Sequence, residues 1–578
     1  MSGVPVSGAG ADPSDGTSEP GRLSPAGRRA AVAAARTGRF DVVVVGGGVT
    51  GAGAALDAAS RGLSVVLVEA GDLASGTSSR SGKTVHGGLR YLEQLNFSLV
   101  AEALRERDLM VRTTAPHLVT PEPFLVPFTT PWERPYIGAG VLLYDLMAAA
   151  GRTGGRGGVP HHRHLTRRGA LREAPGLAAD VVTGAVQYYD GRMDDARHTL
   201  AVARTAAALG AHVLSHARVV GVLREGPRVA GVVVEDALRG DRFDVTASVV
   251  INAAGVWAAD VQAMAGSASF AVRPAKGVHL LVEQGAFDSR TGLLARAEDS
   301  VIILRRWFGH WLLGTTDTTY TGDRRAPTVE QADVDYLLRN VNRYLGRPLS
   351  RSDVLGAFAG LRPLLAPVTR DAATTSALSR DHTVVTEPAG MVTVVGGKYT
   401  TYRRMARDAV DAAGCELGRA LPPSPTAEMP LLGAAGWRAV GNRVPRLAAE
   451  HGVPADHVHR MLHRYGAELP AVLAPVRDDP ALGRPLRGAE GYLPVEFRYA
   501  VTHEGAATLS DVLTRRTHLV IERTDGGTAA APAVAALLAP LLGWDETRQA
   551  REVAEHRAEV ERDRTALASA GPAPIDLR

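Results

Sequence analysis

The first patterned stretch of the chain begins at Phe40. Residues 41–45 are one aspartate and four valines, a β-branched run suited to a strand buried on both faces. Gly46-Gly47-Gly48-Val49-Thr50-Gly51 follows at once. Residues 52–60 have the small, apolar character of a packed helix, stopped by Arg61-Gly62, and residues 64–68 are a second β-branched run closed by Glu69. A second passage from strand to glycines, 391–397, precedes a helical pattern over 399–413 in which Met405, Ala406, Val410 and Ala413 share a face. Residues 301–304 and 311–314 read as strands. Beyond a glycine- and Pro430-containing linker at 426–434, alanine, leucine and arginine dominate to about residue 565, which predicts helices. Residues 1–38 are rich in Gly, Pro, Ser and Ala without hydrophobic periodicity, and read as a disordered tail.

Composition narrows the class. The 578 residues, 45% hydrophobic and 22% charged, fit several globular domains and exclude a coiled coil or a disordered chain. A net charge of +4 is too small for a dedicated nucleic-acid binder. The single cysteine, Cys415, excludes an internal disulfide and a metal site built from several thiolates, and no metal is expected. The longest uncharged run, 526–544, contains Pro532 and Pro540 and reads as a buried soluble segment rather than a span. Residues 136–150 are apolar but interrupted by Asp145, which leaves a peripheral membrane contact open. Arg28-Arg29 lacks the apolar region an export signal needs.

The glycine turn carries chemistry. Gly46 suits a tight turn, Gly48 a close approach of backbone to pyrophosphate, and Gly51 close packing of helix on strand. The helix start offers N–H groups to phosphates, and Glu69, 21 residues after Gly48, suits ribose hydroxyls. The glycines alone are a weak signal; strand, helix and acid in register make a dinucleotide site, without choosing NAD or FAD. The loop Ala74-Ser75-Gly76-Thr77-Ser78-Ser79-Arg80-Ser81-Gly82-Lys83 and its continuation Thr84-Val85-His86-Gly87-Gly88-Leu89-Arg90-Tyr91 combine hydroxyls, glycines and cations, as around an anionic ligand. His161-His162-Arg163-His164, within the glycine- and arginine-rich stretch 151–168, reads as a solvated loop rather than a metal tract. Asp194 and Asp195 read as caps of a helix running to Leu209.

Further segments follow in order: Asn252-Ala253-Ala254-Gly255-Val256-Trp257, Arg273-Pro274-Ala275-Lys276-Gly277-Val278-His279, Gly314-Thr315-Thr316-Asp317, Ala359-Gly360-Leu361-Arg362-Pro363-Leu364, Gly396-Gly397-Lys398-Tyr399-Thr400-Thr401 and 508–517. Together, from about Phe40 to 565, they resemble the FAD-dependent glycerol-3-phosphate dehydrogenases of the aerobic, membrane-associated type. The resemblance implies an α/β fold: a discontinuous Rossmann-like FAD-binding domain (about 39–120, 180–260 and 355–425), a mixed-sheet substrate domain between those parts, and a helical C-terminal domain at 435–565. It implies FAD on Gly46, Gly48, Gly51, Glu69, Thr77, Ser78, Ser79, Lys83, His86, Gly87, Gly88, Ala254, Gly255, Gly397, Lys398, Tyr399 and Thr400. It places the substrate phosphate on Arg90, Tyr91, Arg380 and Lys398. His279 is favoured as the base with His86 as runner-up, and Arg362 stabilises the reacting oxygen. The implied reaction oxidises sn-glycerol 3-phosphate to dihydroxyacetone phosphate, a hydride passing from C2 to flavin N5 and the electrons to a membrane quinone. Alternatives are an oxidase releasing peroxide, a flavin oxidase of another hydroxy acid or amine, and a non-catalytic flavin scaffold. A homodimer, peripheral on the cytoplasmic face of the membrane, is expected. Gly82 and Val278 depart from the family pattern, which has serine at both positions.

Overall fold

The computed structural model describes residues 19–150, 158–298, 300–366 and 381–568. Its strands in chain order are β1 (Arg39–Val45), β2 (Val65–Val68), β3 (Thr84–Val85), β4 (Val119–Phe128), β5 (Arg163–Thr166), β6 (Gly184–Met193), β7 (His212–Leu214), β8 (Ala217–Glu225), β9 (Arg228–Asp236), β10 (Asp241–Asn252), β11 (Ala271–Val282), β12 (Gly292–Arg296), β13 (Val301–Trp307), β14 (His310–Gly314), β15 (Thr318–Thr319), β16 (Val354–Ala366), β17 (His382–Val385) and β18 (Met391–Gly396).

Eight strands form a first sheet, in the order β17-β18-β10-β1-β2-β7, with β9 also on β10 and β8 on β9. β1 pairs in parallel with β2 and β10, and β10 in parallel with β18. Val42 and Val44 enter one hydrophobic core and Val43 and Val45 another, which is why the run is apolar at every position. α2 (Val49–Ser60) covers one face with Ala52, Ala55 and Leu56. A second sheet of ten strands runs β15-β11-β14-β13-β12-β4-β6-β3, with β16 on β11 and β5 on β6. Strands β3 and β6 and nearly all of β16 thus belong to this sheet although their residues fall in ranges assigned from sequence to the FAD domain. The region after 434 is helical and holds two cores, one including Leu447, Val458 and Leu469, the other Phe497, Leu513 and Val534.

The tail expectation needs correction. Residues 1–18 lie outside the described residues, but α1 (Pro25–Thr37) is a helix started by a Ser24 cap and Pro25. Ala31, Val32 and Ala35 bury against β10 and its neighbours, and Arg28 chelates the carboxylate of Asp236. Small alanines pack closely yet give weak hydropathy contrast, so the periodicity was hidden in composition. Of the histidine-containing stretch, 151–157 lies outside the described residues; after it, the solvated-loop expectation needs correction, since β5 pairs with β6 and His162 reaches Asp145 at 2.8 Å. The run 526–544 contains the helix Ala531–Leu542 with Val534 and Leu538 buried. No helix among the described residues is long and apolar enough to cross a membrane.

Candidate active site

The turn between β1 and α2 leaves no room for side chains. A Cβ on Gly46, whose φ is +111°, would stand 2.6 Å from the Ala253 carbonyl oxygen, and one on Gly51 would overlap the Gly46 carbonyl. α2 begins at Gly48 without a side chain of its own as cap; the Val49 N–H donates to Ser78 Oγ at 2.9 Å. Glu69 accepts from the Gly47 and Gly71 N–H groups at 2.6 and 2.8 Å. Burial raises its pKa against the pull of those two donors. A cleft of about 1350 Å³ opens from this turn, lined also by Ala254, Gly255, Gly397 and Thr400, and ends at His279 and Arg362. Close-packed glycines, an open helix start, a buried acid and this length of cleft fit a dinucleotide cofactor.

At the far end the second sheet forms the floor. His279 on β11 lies opposite Gly314 of β14 and Phe358 of β16. A Cβ on Gly314 would overlap the imidazole, and the Phe358 ring stacks on it at 5.1 Å and 15°. Burial, then the charges of Arg362, Lys83 and Arg305, push His279 down to about 3, so it stands neutral. Arg362 donates to Asp317 at 3.2 Å, Thr315 Oγ1 at 3.2 Å and the Thr316 carbonyl at 3.0 Å. Glycine at 277 makes that possible, since a Cβ there would stand 2.6 Å from Arg362 Nη2. Lys398 lies over the Tyr91 ring at 3.7 Å. Arg90 belongs to the short turn Leu89–Leu92, its side chain outside the described residues, as is Arg380 altogether.

The loop between these ends holds itself together. Thr77 donates to the Leu361 carbonyl at 2.6 Å, and Ser79 lends its carbonyl to Lys83 Nζ at 3.0 Å. Lys83 is buried on Asp195 at 2.6 Å, so its ammonium serves a carboxylate of the chain. The His86 N–H reaches Thr400 Oγ1 at 3.3 Å, and Tyr399 donates to the Asp195 carbonyl at 2.7 Å. Gly87, expected on the cofactor, turns away from the cleft. Its N–H donates to Tyr144 at 2.7 Å, and a Cβ would overlap Leu104. Its glycine serves packing against α3 (Phe97–Leu109) and α4 (Glu133–Ala150). Gly88, at φ +79°, does face the cleft.

Several participants were not singled out from sequence. Asp194 caps the helix Asp195–Ala208 as expected, but Asp195 turns to Lys83 and Ser81 instead. Arg305, at the end of an apolar run, is 1% exposed. The C-terminal region also reaches the cleft: His518 bonds Asp194 at 2.7 Å and packs on Trp307, while Arg515 and Arg516 both clasp buried Asp72. Asp72, His216 and Asp511 come within 4.8 Å of one another, a spacing a cation accepts, but the two arginines already supply positive charge there.

A model of the FAD dependent oxidoreductase family matches residues 41–403, and one of the C-terminal domain of alpha-glycerophosphate oxidase matches 424–549. A glycerol-3-phosphate dehydrogenase of Mycobacterium leprae is 50% identical over 541 residues, 93% of this chain and 91% of its own. The chain belongs to the FAD-dependent glycerol-3-phosphate dehydrogenase family. The human mitochondrial glycerol-3-phosphate dehydrogenase is 35% identical over 563 residues, 93% of this chain and 76% of its own. The glycerol-3-phosphate dehydrogenase of Bacillus halodurans, solved in complex with FAD, superposes with a TM-score of 0.78 at 28% identity, covering 96% of this chain and all of that one. Within this dehydrogenase family the two departures have different weight. Val278 points into the apolar core behind the sheet, away from the cleft. Gly82 abuts His279: a Cβ there would stand 3.2 Å from His279 Nε2.

Proposed function

We propose that this FAD-dependent dehydrogenase oxidises sn-glycerol 3-phosphate to dihydroxyacetone phosphate and delivers the electrons to a membrane quinone. The observation that carries the reading is a buried imidazole and a guanidinium lining a cleft that begins in a dinucleotide cradle. Gly46, Gly48 and the start of α2 would hold the pyrophosphate of FAD, Glu69 a ribose, and the 77–88 loop with Gly397 and Thr400 the ring end. FAD, when bound, supplies the acceptor for the hydrogen and two electrons that leave C2. His279 takes the proton of the C2 hydroxyl, and Arg362 stabilises the negative charge that develops on that oxygen. Lys398 and Tyr91, with Arg90 and Arg380, bind the phosphate.

The acceptor side rests on α4. Tyr136, Leu142 and Leu146 are exposed there, as are Trp132 just before it and Leu95 and Phe97 beside it. The opposite face of α4, through Val141 and Tyr144, shares a core with Tyr91 and Phe124 of the cleft. An exposed apolar face that backs onto the reacting end suits contact with a lipid surface and an acceptor dissolved in it. An anaerobic visible spectrum tests the substrate. The flavin band bleaches with glycerol 3-phosphate and not with glycerol or lactate; a band indifferent to glycerol 3-phosphate refutes the assignment. Stoichiometric peroxide in air would replace the quinone by oxygen. Sedimentation with anionic vesicles that survives Leu142→Glu and Leu146→Glu would remove α4 as the contact.

A further inference from the structure

Lys83 is held more firmly than cofactor lining requires. Its backbone is left-handed, φ +53°, a conformation that a residue with a side chain adopts only when its surroundings impose it. Its carbonyl accepts from Arg305 Nη1 and from the Met193 N–H at 3.0 Å. Its ammonium donates to Asp195 Oδ1 at 2.6 Å and to the Ser79 carbonyl at 3.0 Å. Asp195 Oδ2 in turn grips the N–H and hydroxyl of Ser81. The same ammonium stands 5.1 Å from the Trp307 ring centre and 5.2 Å from that of Phe358. Phe358 is the ring stacked on His279, and Gly82, the residue before Lys83, is the one that borders His279 Nε2. A buried cation is thereby locked one aromatic ring away from the imidazole.

We propose that Lys83 is a positioning residue for proton abstraction, a fixed positive charge set by Asp195 and Arg305 that keeps His279 in its proton-accepting form. The proposal rests on the reading of His279 as the base. Among the described residues, three cations act on that imidazole. Arg362 comes from β16 and is paired with Asp317; Arg305 comes from β13 and lies 3.5 Å from Glu122 of β4; Lys83 is paired with Asp195 from the helix behind the loop. Arg192 of β6 adds positive charge beside Arg305, and β14 presents the uncharged Leu312 and Gly314. Burial first, and then the charges of Arg362, Lys83 and Arg305, oppose protonation of His279. A neutral imidazole accepts the hydroxyl proton; an imidazolium does not.

The test uses the full chain loaded with FAD and labelled with ¹⁵N-histidine, His279→Gln assigning the resonance. His279 stays neutral from about pH 5.5 upward in the natural protein, below the ordinary imidazole value of about 6.5. With the titration carried down to about pH 4, Lys83→Gln protonates His279 at a higher pH than the natural protein does, Lys83→Met does the same, and Lys83→Arg, which retains the charge, does not. The rate of anaerobic flavin bleaching by glycerol 3-phosphate acquires an acid limb in the neutral variants at the same pH. A Lys83→Gln protein whose His279 resonance and pH–rate profile match the natural ones overturns the proposal. So does a natural His279 that titrates near 6.5, a result that needs no variant to fold. Undiminished bleaching by His279→Gln removes the base reading instead, while the resonance still reports whether Lys83 controls the imidazole.

Discussion

Replacing Asp72 by alanine isolates what joins the C-terminal region to the cradle. The Asp72 side chain is fully buried and accepts from Arg515 Nε at 2.5 Å and from Arg516 Nη1 and Nη2 at 2.5 and 2.8 Å. Asp72 follows Glu69 in the loop beside the glycine turn, and Asp511, Thr514 and Arg515 line the same cleft. Removing one partner of a buried ion pair costs about 3–5 kcal/mol because the other charge stays buried. Here Arg515 keeps Asp511 at 2.8 Å and Arg516 keeps the Glu504 carbonyl at 2.8 Å, which places the loss at the lower end, about 3 kcal/mol. At about 1.4 kcal/mol per tenfold, the docked arrangement loses about a hundredfold in its equilibrium. FAD release, followed by recovery of free flavin fluorescence after dilution, speeds up by as much as that factor if release requires the junction to open. Amide exchange in residues 508–516 accelerates with it. Unchanged flavin release and unchanged exchange in Asp72→Ala would refute the view that this junction closes the cleft beside Glu69.

Three other outcomes follow from the geometry. Gly314→Ala forces its Cβ into the His279 ring, so kcat falls by about a hundredfold or more while the FAD spectrum is kept; retention of kcat would remove His279 from the chemistry. Glu69→Ala loses the carboxylate that Gly47 and Gly71 bind, and a flavin titration shows FAD weakened by about 1.5–3 kcal/mol. The His216 pKa is opposed by burial but raised overall by the Asp511 carboxylate. A raised folded value means that the His216–Asp511 bond contributes fully below about pH 6.5 and is lost as pH rises through the folded value. FAD release therefore quickens toward alkaline pH, and His216→Gln flattens that dependence; a natural protein with no such rise contradicts the sign.

Local pattern carried the cradle. Four valines after Asp41 predict a strand buried on both faces, and the glycines after it sit where a Cβ would meet Ala253 or Gly46. Such constraints act between residues close in the chain, so spacing encodes them. The match of motifs likewise pointed to His279, Arg362 and Lys398, which the cleft brings together. Other features were not legible in one dimension. α1 hides its packing face in alanines, and Gly87 differs from Gly88 only in which way the turn faces. Asp195 reads as a helix cap until the loop 112 residues earlier brings Lys83 to it. Arg305, just past the strand read at 301–304, draws no notice until Lys83 and Glu122 close over it. The sequence by itself determined the cradle and the family, because local sterics and motif chemistry specify them. Only the tertiary structure decided which buried charges meet and how the C-terminal arginines reach Asp72, because ion pairing depends on distances that chain separation does not encode.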